Sequence, residues 1–290
     1  LGSVVGAGWG ARTPEGFGVL LGHTDEIYRF GIKFLNPRGM LRRGAVLDNH
    51  QLLRCAMCNI GDFSFAEAYA LSGIVLGISV SPSRSRQKPR LLSHLSSPDV
   101  LLPRAALASC SIPGLFPAVH LRARGRQGCQ AYLPGESWVD GSFQGDLPMK
   151  RLGRLFNVNQ FIVSQTNPHS VPFLASRHGR GVLATLMDAG LSSSRAQLGA
   201  ALKVARERVR TPGIHNVVEH AYALTEQSYR GDINIHPPVS AWLYRRLLAN
   251  PSPADLRRYT AIGEKITWPK IALIKNATRI SRLVHELAKA

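Results

Sequence analysis

An apolar pair, Trp138-Val139, runs directly into Asp140-Gly141, and a second aspartate, Asp146, stands just before Leu147-Pro148. That order reads as a buried strand ending in a tight turn that presents a carboxylate at its tip. Glycine enters positive φ at no steric cost, and an aspartate side chain bonds its own nearby backbone, so Asp-Gly is a natural turn. Taken alone, the pair is also what an ordinary backbone turn looks like. Its meaning depends on its surroundings.

Upstream, Val100 to Cys110 has a helical pattern that ends in Ala108-Ser109-Cys110-Ser111-Ile112-Pro113-Gly114-Leu115-Phe116-Pro117. Two prolines so close together cannot continue a helix, so the chain must turn there and run on extended. Earlier, Thr24-Asp25-Glu26 opens a helix to about Phe34, with its acids where the macrodipole favours them. Asp48 caps another helix, with Leu52, Leu53, Ala56, Met57 and Ile60 on one face. Ser64-Phe65-Ala66-Glu67 is a capping box, and Gly73 supplies the stop.

Residues 74–80 read as a buried strand, 81–90 as a polar hairpin or loop and 122–130 as an exposed loop. A helix follows over 148–155, then a strand over 160–164. Strands alternating with amphipathic helices predict an α/β fold: a mainly parallel sheet with helices on both faces, in three layers. A chain of 290 residues suits one large unit with an extension.

The formal charge of +18, from 36 Lys and Arg against 18 Asp and Glu, calls for an anionic partner. Nucleic acid and an anionic lipid surface are both open on charge alone. No RNP, zinc-finger or basic-zipper signature accompanies the basic residues. Gly6, Gly8 and Ala11 imitate a dinucleotide fingerprint but lack the strand that must precede it. Cys55 and Cys58 form a C-x-x-C, while Cys110 and Cys129 lie far off without a metal-like His pair. They read as small apolar residues on a helix face, with no metal or cofactor. No run of about eighteen apolar residues occurs and no apolar signal region opens the chain, so a cytoplasmic or peripheral membrane location is expected.

Three runs now combine: Val139-Asp140-Gly141-Ser142 with Asp146-Leu147-Pro148; Ala108-Ser109 with Pro113, Phe116 and Pro117; and Val163-Ser164-Gln165-Thr166-Asn167-Pro168-His169. Together they resemble the patatin-like phospholipases, in the branch that holds the plant and yeast triacylglycerol lipases and bacterial relatives. Leu41-Arg42-Arg43-Gly44, Gly61-Asp62-Phe63-Ser64-Phe65, Gly231-Asp232-Ile233-Asn234-Ile235 and Thr267-Trp268-Pro269-Lys270-Ile271 extend the resemblance along most of the chain.

The resemblance implies a Ser–Asp dyad on an α/β sheet, acting on a lipid ester through an acyl-enzyme. The nucleophile is the central serine of Gly-x-Ser-x-Gly, on a sharp turn where backbone N–H groups meet the developing oxyanion. Asp140 matches the base, with Ser142 replacing the usual small third residue of the Asp-Gly turn. Gly2, Gly6, Gly141 and Pro113 match positions around the substrate. In Gly2-Ser3-Val4-Val5-Gly6 both glycines have the required spacing, but Val4 occupies the centre. Valine cannot form an acyl ester, and Ser3 stands one position early.

The family's glycine-rich oxyanion loop and first strand belong before Leu1. A truncated or degenerate copy is therefore expected, beside two other readings: a noncatalytic, basic lipid-surface-binding pseudoenzyme, or recruitment of Ser3. The acyl hydrolase domain is expected over 1–175, with a helical, basic extension over 176–290. In that extension Val182, Leu183, Leu186 and Met187 form one stripe, while Lys203, Arg206, Arg208 and Arg210 crowd another stretch. Arg279, Arg282 and Lys289 repeat the character, which suits contact with an anionic membrane or lipid-droplet surface and gives no reason to expect nucleic acid. Trp268, before Pro269, is expected as a packed aromatic at a helix start, with an interfacial anchor as the alternative.

Overall fold

The computed structural model describes residues 49–84, 88–113, 116–141, 148–165, 231–238, 240, 242–243 and 252–287. The expected Thr24–Phe34 helix, Leu41-Arg42-Arg43-Gly44, Asp48 and the stretch 182–210 lie outside them. The chain divides into two compact units, Leu1–Pro148 and Met149–Ala290.

In the first unit, helix α1 (His50–Ile60) buries Leu52, Ala56 and Ile60 of its predicted stripe and part of Leu53, while Met57, at the edge of that face, is 44% exposed. Gly61, at φ 81°, ends it. Helix α2 (Phe65–Ser72) opens on a complete capping box. The Ser64 hydroxyl accepts from the Glu67 N–H at 3.3 Å, and the Glu67 carboxylate accepts from the Ser64 N–H at 2.8 Å. Gly73 closes it in the left-handed conformation, as its position predicts.

Strand β1 (Ile78–Pro82) starts four residues later than expected, and the Ile74 N–H bonds the Ser72 hydroxyl at 3.1 Å instead of a neighbouring strand. Strand β2 (Arg90–Leu92) returns antiparallel to β1, with Val80 opposite Arg90. Helix α3 (Leu102–Cys110) is the centre of the unit, burying Leu102, Pro103, Ala105, Ala106, Leu107 and Ala108. Its alanines let the backbone approach α1 on one side and the sheet on the other.

The segment expected as an exposed loop forms a hairpin, β3 (Arg122–Gly125) with β4 (Gly128–Ala131). All of β4 is exposed, so its sequence carries no apolar alternation to announce a strand. Strand β5 (Trp138–Asp140) completes the order β2-β1-β5. Both pairings in that sheet are antiparallel, which corrects the mainly parallel expectation for this unit. The connection from β1 to β2 is too short for the crossover that parallel pairing needs.

Arg124 ties the hairpin to the turn before α2. Its Nε lies 2.7 Å from the Glu67 carboxylate, and a nitrogen lies 3.6 Å from the Asp62 carboxylate while donating to the Asp62 carbonyl. Partial burial pushes the Glu67 carboxyl up, but the Ser64 N–H and the Arg124 guanidinium outweigh it and hold the pKa below the ordinary glutamate value.

The second unit contains helix α4 (Met149–Phe156), strand β6 (Ile162–Ser164) and strand β7 (Ile233–Ile235). Here the pairing is parallel, Ile162 with Ile233 through Ser164 with Ile235. It joins the expected 1–175 segment to the one after it. Strand β6 begins two residues later than expected, beyond the Phe161 N–H, which bonds the Asp232 carboxylate at 2.7 Å. A Cβ at Gly231 would lie 2.5 Å from Val163 Cγ2 and 2.7 Å from the Phe161 carbonyl, so only glycine fits. The Asn234 side chain closes on the Gly231 backbone with two bonds of 2.9 Å.

Helix α5 (Pro253–Thr267) has a Ser252–Asp255 capping box. A short 3-10 turn (Trp268–Lys270) leads into α6 (Ile271–Ala277) and α7 (Arg279–Leu287). Lys270 donates to the Asn234 carbonyl, joining two of the recognised motifs. Trp268 is not the packed aromatic expected: it is 77% exposed. At three residues per turn, the 3-10 segment that turns Lys270 toward β7 points Trp268 elsewhere. Among the described residues no helix is long and apolar enough to cross a membrane.

Candidate active site at the Asp140 turn

Strand β5 is held on both edges. On one, Val80, Ser81 and Pro82 of β1 face Asp140, Val139 and Trp138. On the other, Trp138 and Val119 exchange two backbone hydrogen bonds of 2.8 Å, and the Asp140 N–H donates to the Ser111 carbonyl at 3.0 Å. That carbonyl lies just past the end of α3. Two stretches singled out in the sequence, the Asp-Gly turn and the segment from Ser111 to Pro117, are therefore side by side.

The segment turns as its prolines predict. The Ile112 N–H bonds the Cys110 carbonyl at 3.1 Å, the Phe116 N–H bonds the Ile112 carbonyl at 2.9 Å, and Phe116 packs on the core. Pro113 sits half-buried within that turn.

Below the turn Trp138 has no exposed surface, and the Arg90 guanidinium lies 5.5 Å from its ring centre. Its indole N–H finds no hydrogen-bond partner among the described residues. Asp140, one pleat beyond the buried Val139, is half-buried and engaged with its surroundings. Gly141 is buried, and a Cβ there would collide with the Ser79 carbonyl and hydroxyl. Glycine is required at 141 by this close packing and not, as the sequence suggests, by a positive φ, which Gly141 does not adopt.

Three serines frame the site, and reading the chain for function did not single them out. Ser81 donates to the Gly141 carbonyl at 3.5 Å, Ser111 donates to the Leu107 carbonyl at 2.8 Å, and Ser79 lies against Gly141. With their protons committed to backbone carbonyls, Ser81 and Ser111 position the turn. The signal was Ser79-Val80-Ser81, small hydroxyls inside an apolar strand. Gly2, Ser3, Val4, Gly6, Ser142 and Asp146 lie outside the described residues, as do Gly114 and 166–169. The geometry described is thus that of the aspartate side of the site. Among the described residues there is no group of three or more His, Cys, Asp or Glu able to hold a metal ion.

A strand-end aspartate anchored beside a proline-broken helix terminus belongs to a class defined by more than its local shape. Residues 7–152 match the profile of the patatin-like phospholipases, and the chain belongs to that family. Its α/β character follows from that membership. Triacylglycerol lipase SDP1L of Arabidopsis thaliana is 33% identical over 255 residues, covering 83% of this chain and 31% of the relative. Triacylglycerol lipase 4 of Saccharomyces cerevisiae is 34% identical over 248 residues, covering 81% and 27%. Triacylglycerol lipase ptl3 of Schizosaccharomyces pombe is 30% identical over 297 residues, covering 98% and 61%. The chain therefore spans between about a quarter and three fifths of the length of these relatives.

Proposed function

We propose that the protein is a lipid acyl hydrolase, cleaving triacylglycerol or phospholipid esters through a Ser–Asp dyad and an acyl-enzyme, with Asp140 as the general base. The observation that carries this reading is the anchoring of Asp140: its backbone is fixed between β1 and Ser111 while its side chain stands at the strand end. Membership in the family and the lipase names of its relatives support the substrate class. In the reaction Asp140 takes the serine proton as the oxygen attacks the ester carbonyl, and the alcohol leaves protonated. Water, activated by the same carboxylate, then releases the fatty acid. The hydrolase domain runs through about residue 175, and β7 pairs in parallel with its β6 from beyond that boundary.

The hydroxyl that the Gly2–Gly6 window offers is Ser3, one position off the elbow. Val4 at the centre of that window favours a second reading, a noncatalytic module that holds the family's lipid site and docks on lipid surfaces. Contact with such a surface fits the exposed stripe Ile280, Leu283, Val284 and Leu287 on α7, at helical spacing, beside Arg279 and Arg282.

A fluorophosphonate probe tests the proposal on the protein as its gene encodes it, beside Asp140→Asn and Ser3→Ala. Labelling in the wild type that is lost in Asp140→Asn supports the dyad. Labelling that survives Ser3→Ala removes Ser3 as nucleophile, and no labelling at all favours the noncatalytic reading.

A further inference from the structure

Away from Asp140, the first unit carries a second cleft, of about 250 Å³, between α1, the N-terminal turn of α3 and the β3–β4 hairpin. Leu53, Met57 and Pro103 supply apolar walls, and the cationic side chains on it are Arg104 and Arg122. Arg104 occupies the first turn of α3 and Ser111 lies just past its end, so the cleft and the Asp140 anchor are about 10 Å apart along the helix axis.

The charges in the cleft are unbalanced. Its acid, Asp62, is paired with Arg124. Arg122 donates to the Cys129 carbonyl at 2.9 Å, which positions the guanidinium without neutralising it. The Arg104 guanidinium makes no hydrogen bond or ion pair among the described residues. Partial burial, then the neighbouring Arg122, push its pKa down, and the attraction of Asp62 offsets this only in part, so its charge is held at a cost. A cation in the first turn of a helix also opposes the macrodipole, and α3 has no acid there. Two neighbouring guanidiniums on a cleft with apolar walls complement a ligand with an anionic head and a hydrocarbon tail.

We propose that this cleft binds an amphiphilic anion, a single alkyl chain carrying a carboxylate or phosphate head, with the head on Arg104 and Arg122 and the first carbons against Leu53, Met57 and Pro103. The volume lies just below the range of about 300–1,000 Å³ typical of ligand pockets, enough for a head and a short length of chain. The site is separate from the proposed catalytic turn and does not depend on hydrolysis.

Calorimetry with dodecanoate, dodecyl phosphate, dodecanol and inorganic phosphate, each amphiphile below its aggregation concentration, tests it. At least one of the two amphiphilic anions binds saturably and slows maleimide labelling of Cys129, which is exposed at the rim. Which of them binds more tightly identifies the head. Arg104→Gln and Arg122→Gln each weaken binding about tenfold or more, the loss expected for a charge-assisted contact, and Met57→Ser acts in the same direction by removing apolar wall while both guanidiniums stay. Asp140→Asn leaves binding unchanged. No binding by either anion, equal binding of dodecanol, inorganic phosphate binding as tightly as dodecyl phosphate, or binding lost in Asp140→Asn each overturns the assignment. None of these readouts requires turnover, so failure here leaves the hydrolase proposal standing, and the reverse also holds.

Discussion

Trp138 and Trp268 mark two regions that use the same side chain in opposite ways. Trp138 has no exposed surface, lies on β5 between β1 and Val119, and forms the floor under Asp140. Trp268 is 77% exposed, in a 3-10 turn followed by helices whose apolar residues Leu273, Ile280, Leu283, Val284 and Leu287 also stand in the open. A buried aromatic stabilises the fold through transfer from water and packing. An exposed one contributes little to the fold and keeps its apolar surface for another phase. The first region therefore holds a strand end still, and the second leaves its apolar side chains open, which suits the lipid surface proposed for it.

The contrast fails if the two tryptophans respond alike. Trp138→Ala costs about 3–5 kcal/mol in a urea titration, as truncating a buried aromatic does, whereas Trp268→Ala changes the midpoint by no more than about 0.5 kcal/mol. Gly141→Ala comes next, at about 1–3 kcal/mol, because the new methyl must push the Ser79 backbone in the central strand β1. Ser64→Ala loses the α2 cap and about 1 kcal/mol.

Arg124→Ala has a smaller effect at neutral pH, below about 1 kcal/mol, since the pair is largely exposed. Its signature is in pH. Glu67 has a depressed folded-state pKa, so its contribution is present above about pH 4.5 and is lost as pH falls through the folded value. Arg124→Ala flattens that dependence, which acid titration of stability measures. Smallest for the fold is Leu283→Asp on exposed α7, yet in vesicle sedimentation it weakens binding to anionic liposomes. Raising salt weakens the wild type in the same assay.

Local rules were readable where the residues that satisfy them are neighbours in sequence. Ser64 and Glu67 announced a cap three residues long, and the prolines after Cys110 announced the turn that brings Ser111 to Asp140. The acceptor of the Asp140 N–H was not readable, because it is a backbone carbonyl that any residue could supply. Strand direction was not readable either: β1 meets β5 nearly sixty residues later, and alternation records burial and not orientation. The β3–β4 hairpin was hidden because β4 is exposed on both faces. No sequence pattern marks Arg104 and Arg122, which stand eighteen residues apart and come together only at the cleft.

The central claim is that Asp140 is a base and not merely a turn residue. Turnover of emulsified triacylglycerol and of phospholipid vesicles by the wild type and by Asp140→Asn tests it directly, with urea midpoints recorded for both. The account predicts equal midpoints and a rate about 10²–10⁴-fold lower in the variant, the range contributed by a positioned general base. An Asp140→Asn protein as fast as the wild type, or a wild type without turnover on either substrate, contradicts it.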